Sequence, residues 1–129
     1  MFKITLSPDG NMSPDALQSV SVSGDSIIIN GETFDFSPLQ EGDRLINSDV
    51  YRYYVDEYGV EQAELIEPKA VASDFIVNDV VRSNGYICLE LKISAPWNAP
   101  ASTRFPNPRI LTITADGPVP IPSPTPIEQ

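Results

Sequence analysis

The stretch Gln18 to Phe36, Q-S-V-S-V-S-G-D-S-I-I-I-N-G-E-T-F-D-F, most constrains what this chain can fold into. Three short β-prone runs are separated by the dipeptides Gly24-Asp25 and Asn30-Gly31. Asn-Gly tolerates positive φ at both central positions of a type I′ turn, whose twist matches that of paired strands. Two such turns in succession specify a three-stranded meander. The outer runs alternate, with Val20 and Val22 set between serines and Phe34 and Phe36 around Asp35. The middle run, Ile27 to Ile29, is apolar without interruption, which predicts a strand inside a sheet and covered on both faces.

The flanking sequence reads as more β structure. Phe2-Lys3-Ile4-Thr5-Leu6 alternates, with Phe2, Ile4 and Leu6 on one face. Ser7-Pro8-Asp9-Gly10 has the composition of a turn, and Ser13 to Leu17 that of one helical turn capped by Ser13. Ser37-Pro38 should stop the third meander strand, and Leu39 to Ser48 reads as loop. Val50 to Val55 is strongly β-prone, Asp56 to Gly59 is a turn, and Val60 to Ile66 is predicted as a returning strand with a short helix as the alternative. Asp74 to Arg82 and Tyr86 to Ser94 form a second hairpin around Ser83-Asn84-Gly85, with Ile87, Leu89, Leu91 and Ile93 facing inward. Cys88 falls on the opposite face and reads as an unreactive thiol.

Prolines at 96, 100, 106 and 108 make Ala95 to Arg109 an irregular crossing loop, which Trp97 and Phe105 are expected to pin to the body. Ile110 to Thr114 is a last short strand, and Asp116-Gly117 turns the chain. Prolines then occupy 118, 120, 122, 124 and 126. In an extended segment they blank the N–H groups along one side only. Val119, Ile121, Ser123, Thr125 and Ile127 keep theirs on the other, so Asp116 to Ile127 is expected to lie against a sheet edge or a partner. The reading is an all-β fold, either a small antiparallel β-sandwich or a curled β-meander, with an extended Pro-rich C-terminal segment. Its organisation is one domain over residues 1–117, with 45–67 an inserted Tyr- and acid-rich hairpin, and a tail over 118–129.

Composition narrows the chemistry. Histidine is absent, which removes the commonest general base and every Ser-His or Cys-His dyad. A single cysteine excludes an internal disulfide and a cysteine zinc site. Gly42, Gly59 and Gly117 stand alone, without a phosphate loop. Asp56, Glu57, Glu61 and Glu64 match no calcium-loop spacing and read as a solvated acidic face. No catalytic residue, cofactor or metal site is expected. Eighteen acids against eight bases leave a net charge of −10, which repels nucleic acid and anionic lipid. No apolar run reaches the roughly 20 residues of a membrane helix. The chain begins as a strand, without an apolar leader, so folding in the cytoplasm is expected. The segment Glu41 to Glu67 holds eight acids, two bases and four of the five tyrosines. Tyr51, Tyr53, Tyr54 and Tyr58 are therefore the candidate partner contacts, since tyrosine brings large contact area at low entropic cost. Val119 and Ile121 are candidates in the tail.

Three groups of residues carry a resemblance. They are Ile29 to Leu39 (I-N-G-E-T-F-D-F-S-P-L); Asp74 to Arg82 with Gly85 and the Leu89/Leu91 strand; and Asn98-Ala99-Pro100, Thr103 to Pro108 and Asp116 to Pro122. Together they resemble a family of small uncharacterised proteins encoded among the tail genes of tailed bacteriophages and prophages. Members of that family lack the Tyr-rich unit and often carry His-Gly-Pro where this chain has Ala95-Pro96-Trp97. The resemblance implies a structural or adaptor protein of the tail tip or fibre region. Its partners would be other tail or fibre proteins, with a homo-oligomer as a further option. It would sit in the virion tail after synthesis in the host cytoplasm. A tail-fibre assembly chaperone and an acidic inhibitor of a host defence complex are the alternatives.

Overall fold

A computed structural model describes residues 1–124. The chain is all-β. Strand β1 (Phe2–Asp9) is followed by the meander β2 (Val20–Ser23), β3 (Ser26–Ile29) and β4 (Glu32–Asp35). Then come β5 (Arg44–Leu45), β6 (Val50–Val55), β7 (Glu61–Glu67), β8 (Ile76–Ser83) and β9 (Tyr86–Ser94). A four-residue helix, α1 (Ala101–Arg104), precedes β10 (Ile110–Ile113) and β11 (Gly117–Pro118). One sheet has the order β10-β1-β9-β8-β5, a second β11-β2-β3-β4, and β6-β7 stands as a ribbon of its own.

The meander forms as its turn residues dictate. Asn30 and Gly31 both sit at positive φ, 51° and 83°, as a type I′ turn requires, whereas at Gly24-Asp25 only the glycine is positive. Gly31→Val would force a β-branched side chain into that region, at a cost of roughly 1–3 kcal/mol. Its melting temperature should fall by several degrees, while Gly31→Asn, which tolerates positive φ, should lose much less. The same chemistry closes β8-β9, with Asn84 at 54° and Gly85 at 79°.

The buried faces of both sheets meet in one cluster. Phe2, Ile4 and Leu6 of β1, Ile87, Leu89, Leu91 and Ile93 of β9, and Ile76 and Val80 of β8 come from the first sheet. Val20, Val22, Ile27 and Ile29 come from the second, with Phe36 just beyond β4. Each fully buried aliphatic or Phe side chain contributes about 1.5–3 kcal/mol, which neither half could collect without the other. The Arg82 guanidinium of β8 also ties the sheets, donating to the Asp25 carboxylate at 3.0 Å and to the Phe36 carbonyl at 3.2 Å.

Several expectations need correction. Pairing is not wholly antiparallel: β1 runs parallel to β9 from Phe2↔Ile87 to Asp9↔Ser94, with β10 antiparallel on its other side. The turn expected at Ser7 to Gly10 is strand through Asp9. Pro8 is tolerated there because even-numbered residues of β1 face the β10 side, as Leu6 does in donating to the Arg109 carbonyl, and β10 ends opposite Thr5. Ile28 is only half-buried, so the middle meander strand is covered fully on one face. The loop expected over Leu39 to Ser48 contains β5, and the crossing loop contains α1. Trp97 and Phe105 do not pin that loop, being 86% and 73% exposed. Small residues do so instead: Ala95, Ala99 and Thr103 are buried, and the Thr103 hydroxyl donates to the Ser123 carbonyl. At Asp116-Gly117 the bend is followed at once by β11, which pairs with β2 as Gly117↔Val22 and Pro118↔Ser21.

Candidate functional site

The ribbon begins with its tip. Asp56 accepts from the Tyr58 and Val60 amides through one carboxylate oxygen, both at 2.9 Å, and from the Gln62 side chain through the other. These bonds, the Val60 amide foremost, hold its carboxyl below the usual range. Gly59 completes the turn at φ 78°. From this tip β6 and β7 pair from Val55↔Glu61 down to Tyr51↔Leu65 and Val50↔Glu67, with Ile66 the extra residue of a bulge. Strand wins over the helical alternative for Val60 to Ile66. Glu61, Gln62, Ala63 and Glu64 favour helix, but each lies opposite a β-prone residue or Arg52, and pairing decides.

Opposed residues share a face, so the register sorts the side chains. One face carries Tyr51, Tyr53 and Val55 with Leu65, Ala63 and Glu61, the Tyr51 and Tyr53 rings 6.4 Å apart. The other carries Arg52, Tyr54, Glu64 and Gln62. There Arg52 donates to Glu64 at 2.6 Å and lies 5.6 Å from the Tyr54 ring. Tyr58 stands at the tip. Every residue of β6 and β7 is exposed, Tyr53 at 77%, and Tyr58 reaches 82%. A two-stranded ribbon is marginal by itself, and a row of exposed Tyr, Val, Leu and Ile is unfavourable in water.

The ribbon's base is built with care. Asn47, buried just before β6, donates its amide to the Asp79 carboxylate at 3.1 Å. Its side chain donates to the Ile76 carbonyl at 3.3 Å and accepts from the Val71 amide at 3.0 Å. Asp79 sits where β8 bulges, with Asn78 at φ 61°, and also receives Arg44 at 3.2 Å. The Asn47 amide first, then Arg44, lower its carboxyl from the ordinary value. Asp49 accepts from the Lys69 amide at 2.6 Å, closing the two legs on one another. Sequence reasoning missed Asn47, which looks like any polar loop residue. The expected insertion at 45–67 thus has a narrower free part: Leu45 pairs with β8 and Asn47 is embedded, whereas Val50 to Glu67 is exposed apart from the half-buried Asp56 at the tip.

The tail candidates lie elsewhere. Val119 is buried and donates its amide to the Val20 carbonyl at 2.8 Å, continuing the β11-β2 pairing. Ile121 packs against the core, but its amide turns back to the Val119 carbonyl at 2.9 Å instead of to the sheet. Thr125 and Ile127, expected to continue the pairing, lie outside the described residues.

The other carboxylates with lowered pKa are engaged locally. Asp9 is held by the Asn11 amide and Lys92, and Asp35 by the Ser37 amide and hydroxyl. Among the described residues no three His, Cys, Asp or Glu side chains are grouped to hold a metal ion. No family model, curated protein or solved structure matches the chain.

Proposed function

We propose that this protein is a small structural or adaptor component of a bacteriophage tail, at its tip or fibre region. It works by protein–protein contact and without chemistry, presenting the β6-β7 ribbon to a neighbouring tail or fibre protein. The observation that carries this reading is the ribbon itself, three tyrosines on β6 and a fourth at the tip, with no buried residue on either strand, standing on a hydrogen-bonded base. The phage assignment rests on the resemblance of Ile29–Leu39, Asp74–Arg82 and Asp116–Pro122 to tail-encoded proteins. In this reading the two sheets are the layers of a sandwich, and Gly117 to Val119 lie as a strap along the β2 edge of one of them.

Mass spectrometry of purified virions tests the proposal. The protein should be present at a fixed ratio to known tail subunits. Its absence from particles, with presence in infected cells, would instead favour the assembly chaperone or the inhibitor of a host complex. Tyr53→Ala and Tyr58→Ala should each weaken incorporation strongly, since aromatic hot spots are worth 2 kcal/mol or more of binding. Neither should change the melting temperature, because both rings are exposed.

A further inference from the structure

The open edge at β4 has the features of a second docking site. Among the described residues β4 pairs only with β3. The two-residue turn makes Ile29↔Glu32 a hydrogen-bonded pair, so Glu32 and Phe34 direct their backbone groups to β3. Phe36 keeps that phase, donating to the Asp25 carbonyl at 3.0 Å. Thr33 and Asp35 therefore direct their N–H and C=O groups outward, where no strand lies among the described residues.

Beside this edge the two sheets do not close. A groove made of adjoining hollows of about 340, 270 and 210 Å³ runs along β4. Its apolar lining is Phe34, Phe36, Leu39, Leu45, Val71 and Ala72. Its charged lining is Glu32, Asp35, Asp43 and Asp74, with Lys69 Nζ lying 4.0 Å from the Asp74 carboxylate.

We propose that β4 accepts an extended segment of another protein as an added strand, one with apolar side chains at alternate positions and Lys or Arg among and around them. Backbone pairing to Thr33 and Asp35 supplies the ladder, and every second side chain enters the groove beside Phe34 and Phe36. Glu32, Asp35 and Asp43, in no ion pair among the described residues, select the charge of the guest. They also disfavour a self-derived guest from residues 110–129 of a second copy, because those residues contain no Lys or Arg and alternate with proline from 118. This site is separate from the ribbon and does not depend on the tail assignment.

The test uses the full chain, ¹⁵N-labelled, titrated with short capped peptides. A peptide alternating Lys and Val should shift the Thr33, Phe34, Asp35 and Leu45 amides and slow exchange of the Thr33 and Asp35 N–H groups. Its affinity should fall roughly tenfold between about 50 and 500 mM salt. Thr33→Pro removes an outward donor that no neighbour uses, and proline is tolerated on an edge strand. It should abolish binding. Glu32→Lys leaves the backbone untouched and should weaken binding several-fold, so the proposal stays open to refutation even if Thr33→Pro misfolds. Equal binding of a Glu/Val peptide, shifts confined to the ribbon, or no binding of the Lys/Val peptide would overturn it.

Discussion

Excising Val50 to Glu67 and joining Asp49 to Pro68 through Asn-Gly should leave the body folded and eliminate incorporation into particles. The geometry favours a clean excision. Val50 and Glu67 lie opposite one another, and the Asp49–Lys69 bond already holds the two legs together, so a two-residue turn can span the gap. No residue of β6 or β7 is buried, so the core loses nothing and the melting temperature should move by no more than a few degrees. Solubility should rise, because the excised residues include the exposed Tyr, Val, Leu and Ile row. A cut beginning at Leu45 would behave differently, removing a core-packed side chain and the buried Asn47. Unfolding of the Val50–Glu67 excision variant would show that the tyrosines serve the body, and the contact reading would fail.

The legible parts of the fold were those written in local chemistry. Asn30-Gly31 and Asn84-Gly85 announce their turns because few other residues accept positive φ at both positions. The Ile87, Leu89, Leu91, Ile93 alternation announces a one-faced strand. What stayed hidden depends on distant partners. Phe2, Ile4 and Leu6 have the same alternation whether β1 pairs parallel or antiparallel, and its parallel partner lies 85 residues away in sequence. Pro8 looked like a turn because nothing local says that its missing N–H would face an unpaired edge. Trp97 and Phe105 were expected to anchor by size, yet the anchors are Ala99 and Thr103, which fit where bulky rings do not.

The candidate site was half legible. Tyrosine density marked the ribbon and the returning strand was the expected form over Val60 to Ile66, but the helix-favouring Glu61 to Leu65 left a helix as the alternative, and the assignment of side chains to the two faces needed the register and its bulge at Ile66. The β4 groove was not legible at all. Phe34 and Phe36 read as ordinary core alternation, and only the failure of the two sheets to close beside them leaves a groove.

Asn47→Ala should cost about 2–4 kcal/mol and loosen the base of the ribbon. The Ile76 carbonyl faces away from β9, since the Phe75 carbonyl takes the bond from Lys92, and β5 pairs only with Val80 and Val81. The Asn47 amide thus fills the place of a missing strand, and its oxygen satisfies Val71 at the same time. Truncation leaves a donor and an acceptor buried without partners, each at a cost of about 1–3 kcal/mol. Asn47→Asp separates this account from simple cavity formation. It conserves volume and the acceptor for Val71, but sets an oxygen against the Ile76 carbonyl and a second carboxylate near Asp79. If the hydrogen bonds matter, denaturant melts should find Asp destabilising by a similar amount. If only packing matters, Asp should be close to neutral. Hydrogen exchange should also quicken at Val71 and Lys69 in Asn47→Ala while the β1-β9 amides stay slow, because the base opens before the core does.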